Sequence, residues 1–180
     1  MGWCPKRLRE RAVLRTNRMI VRTTRIPTLG PRGEGWVIIQ TILLVGVAVA
    51  GLLGARWPEN LRVPAQVIAI ISGAAGLWLA GSAIGTLGKS VSPFPKPPAT
   101  SELKESGVYA LVRHPIYGGI LLLSLAWSLA LSPWALIPTG TLAIALVFKS
   151  RLEERWLIDL HSGYAGYRER VRRRFVPLLW

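Results

Sequence analysis

Residues 107–119 read Gly-Val-Tyr-Ala-Leu-Val-Arg-His-Pro-Ile-Tyr-Gly-Gly. A charged, hydrogen-bonding pair, Arg113-His114, stands directly against a proline, and from Pro115 to Phe148 no charged residue occurs. Proline suits the first turn of a helix, where its missing N–H is no loss and its fixed φ already fits. Arg113 and His114 are therefore expected at the mouth of an apolar helix, where water meets lipid. Tyr117 follows His114 by three residues, which sets both side chains on one face of that first turn. A polar cluster at the end of an apolar segment is costly to keep, and its default reading is functional.

The rest of the chain repeats this segregation. Hydrophobic residues make up 51% of its 180 residues and mean hydropathy is +0.35, yet the formal charge is +14. The 23 Lys and Arg residues are clustered: nine in 1–35, two in 55–65, four in 89–114 and eight in 149–180. The stretches 36–54, 63–88 and 115–148 carry no charge at all. That pattern is a polytopic membrane protein. The single cysteine, Cys4, excludes an intrachain disulfide and a cysteine metal cluster. Two histidines far apart in sequence give no reason to expect a metal site.

The expected fold is all-α: a membrane helix bundle of about four spans with a cytoplasmic C-terminal helical segment. The first span covers about 36–54, flanked by Trp36 and Trp57 as interfacial anchors. Residues 1–30 lack the apolar core of a cleaved signal peptide, so this span is expected to act as the insertion signal. A loop over 55–62 leads to the second span, from 63 or 64 to 87. Its small residues Ser72, Gly76 and Ala80, and also Gly81 and Gly85, recur at four and predict close helix packing. The 34 positions of 115–148 predict a short hairpin, 115–131 and 134–148, broken at Ser132-Pro133. Four spans place both termini on one side, with 21 basic residues there against two on the other. The positive-inside rule makes that side cytoplasmic.

The connecting segments carry the remaining signals. Residues 1–35 form a basic cytoplasmic arm, suited to anionic lipid headgroups at about 1 kcal/mol per charge; topology explains its charge, so nucleic acid is not expected as a partner. Four prolines between Pro93 and Pro98 exclude a helix in the 89–106 loop, which reads equally well as a stiff connector or as a cover over a site. Beyond 148 an amphipathic charged stretch carries Glu153-Glu154, then Tyr164 and Tyr167. With four spans these residues fall on the same membrane face as Tyr109, Arg113, His114 and Tyr117. Two polar clusters remote in sequence are thus expected to close on one pocket.

This order of elements resembles the integral-membrane methyltransferases related to isoprenylcysteine carboxyl methyltransferase and the phospholipid N-methyltransferases. The matching residues are Ser106-Gly107-Val108-Tyr109, Arg113-His114-Pro115-Ile116-Tyr117 with Gly119, Glu153-Glu154, the pair Tyr164 and Tyr167, and the basic run ending at Pro177. The resemblance covers about 93–177 and divides the chain into an arm (1–35), two spans (36–88) and a methyltransferase-like region (89–180). It implies an S-adenosylmethionine-dependent methyltransferase acting on a lipophilic acceptor, carboxylate or amine, at the cytoplasmic interface. It further implies a cofactor site lined by Leu103, Lys104, Tyr109, Arg113, His114, Pro115 and Tyr117, with Glu153 or Glu154 on the cofactor's ammonium. For an amine acceptor, Glu153, Glu154 or His114 would assist proton removal. Lys149 stands where the family has a basic residue associated with the substrate, with Arg151 nearby.

Two other functions fit parts of this pattern. Membrane sterol and enone reductases are similar around an Arg-His-Pro-x-Tyr segment and use NADPH there, but generally have more spans. A non-enzymatic membrane protein whose basic tails hold lipid would need the arginines and not Glu153 or Tyr117.

Overall fold

The computed structural model describes residues 26–98 and 101–177. Most of the expected basic arm, residues 1–25, lies outside the described residues. Four long helices and one short one follow: α1 (Glu34–Leu53), α2 (Glu59–Leu87), α3 (Pro115–Leu131), α4 (Leu136–Leu160) and α5 (Tyr164–Arg170). α1, α2 and the 133–160 segment are long and apolar enough to cross a membrane; α3 is apolar but only 17 residues long. The described residues form an all-α membrane protein. Large side chains that a soluble bundle would bury face outward, Ile70 at 73% and Leu53 at 82% exposure, as lipid permits.

The structure departs from the sequence expectation at the start of α2 and at Trp36. α2 begins at Glu59, capped by Pro58, because Pro64 removes only one backbone hydrogen bond near the helix start. The turn between α3 and α4 does fall at Ser132–Ala135, where Ser132 Oγ accepts from the Trp134 N–H at 3.3 Å. The first arm is the expected 115–131, and α4 runs through residue 148 to Leu160 without a break, so Glu153 and Glu154 ride on a charged helix that continues the apolar span. Trp36 is not a lipid-facing anchor. It is buried, donates from Nε1 to the Pro27 carbonyl at 3.0 Å and stacks on Phe148.

The bundle is built as two pairs. α2 packs along α3 most extensively, and α1 packs along α4. At one end, Ser132 Oγ donates to the Ala55 carbonyl at 2.7 Å and Trp57 Nε1 to the Ser128 carbonyl at 3.1 Å. The 93–98 loop lies at the other end, its Lys96 N–H bonded to the Arg32 carbonyl at 3.3 Å. The α2–α3 contact depends on missing side chains. A Cβ on Gly119 would stand 2.6 Å from the Ala80 Cβ and 2.9 Å from the Gly76 carbonyl oxygen. Gly81 and Gly85, in contrast, have open space around them. Their spacing marks an outward face and not a packing seam within the chain.

Gly119→Val is therefore expected to push α3 off α2 and lower stability by about 1–3 kcal/mol, the usual penalty of overpacking. Gly81→Val should be nearly neutral. Thermal unfolding of the two variants in detergent, followed by circular dichroism, checks the contrast.

Candidate active site

Pro115 opens α3 as its first residue, with His114 as N-cap. This frees the backbone of Arg113 and His114 for another partner, which is the C-terminal strap, residues 171–175. Arg113 N–H donates to the Arg173 carbonyl at 3.1 Å and His114 N–H to the Arg174 carbonyl at 2.8 Å. The strap fits closely because Gly118 has no side chain: a Cβ there would collide with the Phe175 carbonyl. Phe175 packs edge-on against both His114 and Tyr117. The His114 and Tyr117 rings are stacked, 5.4 Å apart and within 4° of parallel.

Glu154 is the hub of this arrangement. Its Oε1 accepts from Arg113 Nε at 2.9 Å and lies 3.1 Å from His114 Nε2, while Oε2 lies 3.5 Å from Arg174 Nη2. The carboxylate is 4% exposed. Arg113 also donates from Nη1 to the Val171 and Arg172 carbonyls at 2.7 and 2.8 Å. Burial draws the Arg174 guanidinium down and Glu154 opposes it; the group stays a cation.

Glu153, one residue earlier, lives differently. It accepts from the Tyr117 hydroxyl at 2.8 Å, sits 3.6 Å from His114 Nδ1 and remains partly exposed. Lys149, one turn before, is buried. Its ammonium donates to Gln40 Oε1 at 2.6 Å and to the Pro93 carbonyl at 3.0 Å, and lies over the Tyr117 ring.

Two cavities meet at this cluster. The outer cleft is lined by Leu103, Lys104, Tyr164 and Tyr167 together with Ser92, Phe94, Pro97 and Ser101, and holds about 670 Å³ of empty space up to its open mouth. The inner cavity, of about 820 Å³ by the same measure, is lined by Gln40, Ile84, His114, Pro115, Tyr117, Ile120 and Lys149. Leu87, Ser92, Tyr109, Arg113 and Glu153 line both, so the two spaces adjoin. Burial pushes the Tyr109 and Tyr164 phenols up, with the glutamates adding to it, and burial pushes Tyr167 up as well. All three are neutral hydroxyls in the physiological range. Tyr167 donates to the Tyr109 carbonyl at 2.7 Å. The buried hydroxyls of Tyr164 and Ser101 have no partner among the described residues.

Of the residues singled out in the sequence, Leu103, Lys104, Tyr109, Arg113 and Glu153 line the outer cleft, and His114, Pro115, Tyr117 and Lys149 the inner cavity. Glu154 lines neither. Arg151 is exposed and also lines neither. Pro97 and Pro98 of the 89–106 loop wall the outer cleft and Pro93 the inner cavity. Sequence reasoning passed over Gln40, whose amide inside an apolar run was a usable signal. It also passed over Ser101, Arg174 and Phe175, which nothing in a basic tail distinguishes.

Replacing Glu154 with Gln leaves Arg113 and Arg174 with weakened compensation in a buried site, and a loss of about 3–5 kcal/mol is expected. Glu153→Gln should cost less, about 1–2 kcal/mol, since it weakens one charge-assisted hydrogen bond at a partly exposed site. Denaturation midpoints of the two variants check the asymmetry.

A family model described as phospholipid methyltransferase matches residues 65–162. That is over half of the chain, from the first turns of α2 through α4, and it takes in the Arg113-His114 motif and both glutamates. No curated protein matches the chain.

Proposed function

Because the chain belongs to the phospholipid methyltransferase family, we propose that it moves a methyl group from S-adenosylmethionine to a lipophilic acceptor held in the membrane. The observation that carries this reading is the pair of adjoining cavities sharing Glu153 and Tyr109. One is polar and tyrosine-lined, beside the Lys104 and Ser101 loop; the other runs into the bundle between apolar walls.

The outer cleft suits the cofactor. Its partly exposed carboxylate, Glu153, and its tyrosine faces are natural partners for a molecule bearing an ammonium and a sulfonium. The unpartnered Ser101 and Tyr164 hydroxyls offer hydrogen bonds that the protein itself leaves unmade. When bound, S-adenosylmethionine supplies a methyl group on an already activated electrophile. The protein's task is then alignment and exclusion of water. Glu154 serves as a positioning residue: it holds Arg113, His114 and the strap where they wall the site.

The inner cavity favours a carboxylate acceptor over an amine. A carboxylate oxygen can take a methyl group without losing a proton, whereas an ammonium must first be deprotonated. The groups able to receive that proton are committed. His114 turns both ring nitrogens to glutamate oxygens, at 3.1 and 3.6 Å, and Glu153 already accepts from Tyr117. Lys149 adds a fixed cation that attracts an acid and repels an amine. The basic residues flanking the site end support its facing the cytoplasm.

Isothermal titration calorimetry of the detergent-purified protein is expected to show binding of S-adenosylmethionine or its demethylated product. Glu153→Ala should weaken that binding at least tenfold, the share of one charge-assisted contact; no binding by intact protein would contradict the reading. With methyl-labelled cofactor and a total lipid extract, base-labile esters of lipophilic acids are expected to carry the label. Label confined to lipid amines would contradict the carboxylate assignment and leave the methyltransferase reading intact.

A further inference from the structure

At the opposite end of the bundle from the candidate active site lies a third cavity. Arg56, Trp57, Arg62, Gln66, Ala130 and Leu131 line it, an open recess of about 240 Å³. Arg56 and Arg62 are the only Lys or Arg residues between Glu34 and Gly88. Neither forms an ion pair among the described residues. Glu59, the one carboxylate on that loop, does not line the cavity. Trp57 is fixed as a wall by its hydrogen bond to the Ser128 carbonyl. Two guanidinium groups thus share one recess with no anion from the chain to balance them.

The neighbouring helix explains why such a recess meets lipid. α3 has 17 residues, about 25 Å at 1.5 Å per residue, against a hydrocarbon core of about 30 Å. A span this short draws the bilayer surface inward at its end. That end is Leu131, which lines the recess. Below it, Arg62, Gln66 and Ile70 recur at four on α2 and so share one face. Ile70 is 73% exposed and Val63 beside the recess 66%, an apolar track leading away from two cations.

We propose that this recess binds the phosphate of an anionic membrane lipid, with Arg56 and Arg62 as its ligands and the acyl chains along Val63 and Ile70. Guanidinium groups pair with phosphate oxygens in a fork geometry that a lone ammonium does not reproduce. A zwitterionic headgroup brings its own cation towards the two arginines and binds less well. The lipid holds headgroups at the level of Leu131 and fastens the short helix in the bilayer. This site is independent of the methyl-transfer reading.

Native mass spectrometry of the full chain, released from detergent with added phosphatidylglycerol, tests the proposal. Arg56→Gln with Arg62→Gln is expected to reduce the apparent affinity for phosphatidylglycerol about thirtyfold, each arginine near a membrane surface supplying about a factor of five to six. Arg172→Gln with Arg173→Gln, which removes the same charge from the other end, should change it less than threefold. Arg56→Lys with Arg62→Lys keeps the charge without the fork, should recover only part of the binding, and shows that the doubly substituted loop still folds. Diacylglycerol, which lacks the phosphate, should be retained equally weakly by all four proteins. Equal phosphatidylglycerol affinity in the glutamine variant and the parent would overturn the site. So would stabilisation by inorganic phosphate alone that equals that of the lipid, which would mark a soluble-anion site.

Discussion

One buried carboxylate ties the site end of the bundle together. Glu154 projects from α4 and meets Arg113 and His114 at the mouth of α3 and Arg174 from the C-terminal strap. Arg113 and His114 lie 41 and 40 residues before Glu154 in the chain, and Arg174 returns from beyond α5. A carboxylate removed from water demands compensation, and three donors provide it. Because α3 begins at Pro115, the N–H groups of Arg113 and His114 are not used by the helix and donate to the strap's carbonyls. Charge pairing and backbone pairing therefore act on the same two residues.

That clamp divides two adjacent glutamates by role. On a helix, consecutive residues point about 100° apart, so Glu154 faces the strap while Glu153 faces the two cavities. The stacked His114 and Tyr117 rings pass between them, each touching a glutamate oxygen. The membrane setting gives the division its use. The outer cleft is bounded by a polar loop and by α5, and the inner cavity by apolar residues of α2 and α3. On the function proposed above, a soluble cation and a membrane-dissolved molecule would meet at Glu153 without either crossing the other's medium.

Much of this was legible in the sequence. Runs of residues without charge mark membrane helices because a charge in hydrocarbon is expensive, and the Ser132-Pro133 break appeared where an apolar run was too long for one span. Pro115 after Arg113-His114 marked a helix mouth. The remainder escaped for physical reasons. Trp36 reads as an interfacial anchor until Phe148, 112 residues away, is brought beside it. The separate duties of Glu153 and Glu154 depend on Arg174, one of three consecutive arginines in which no local feature singles out the buried one. Gly118 and Gly119 were visible as a pair, but only the fold tells that one admits the strap and the other admits α2.

The clamp is most directly tested by a double-mutant cycle between Glu154 and Arg174, using Glu154→Gln, Arg174→Met and the two combined, with unfolding free energies measured in one detergent. If Glu154 holds the strap against the motif, the two changes are coupled by about 1–3 kcal/mol. Strictly additive effects would show that the strap is held by its backbone alone and that the buried carboxylate does not organise the site.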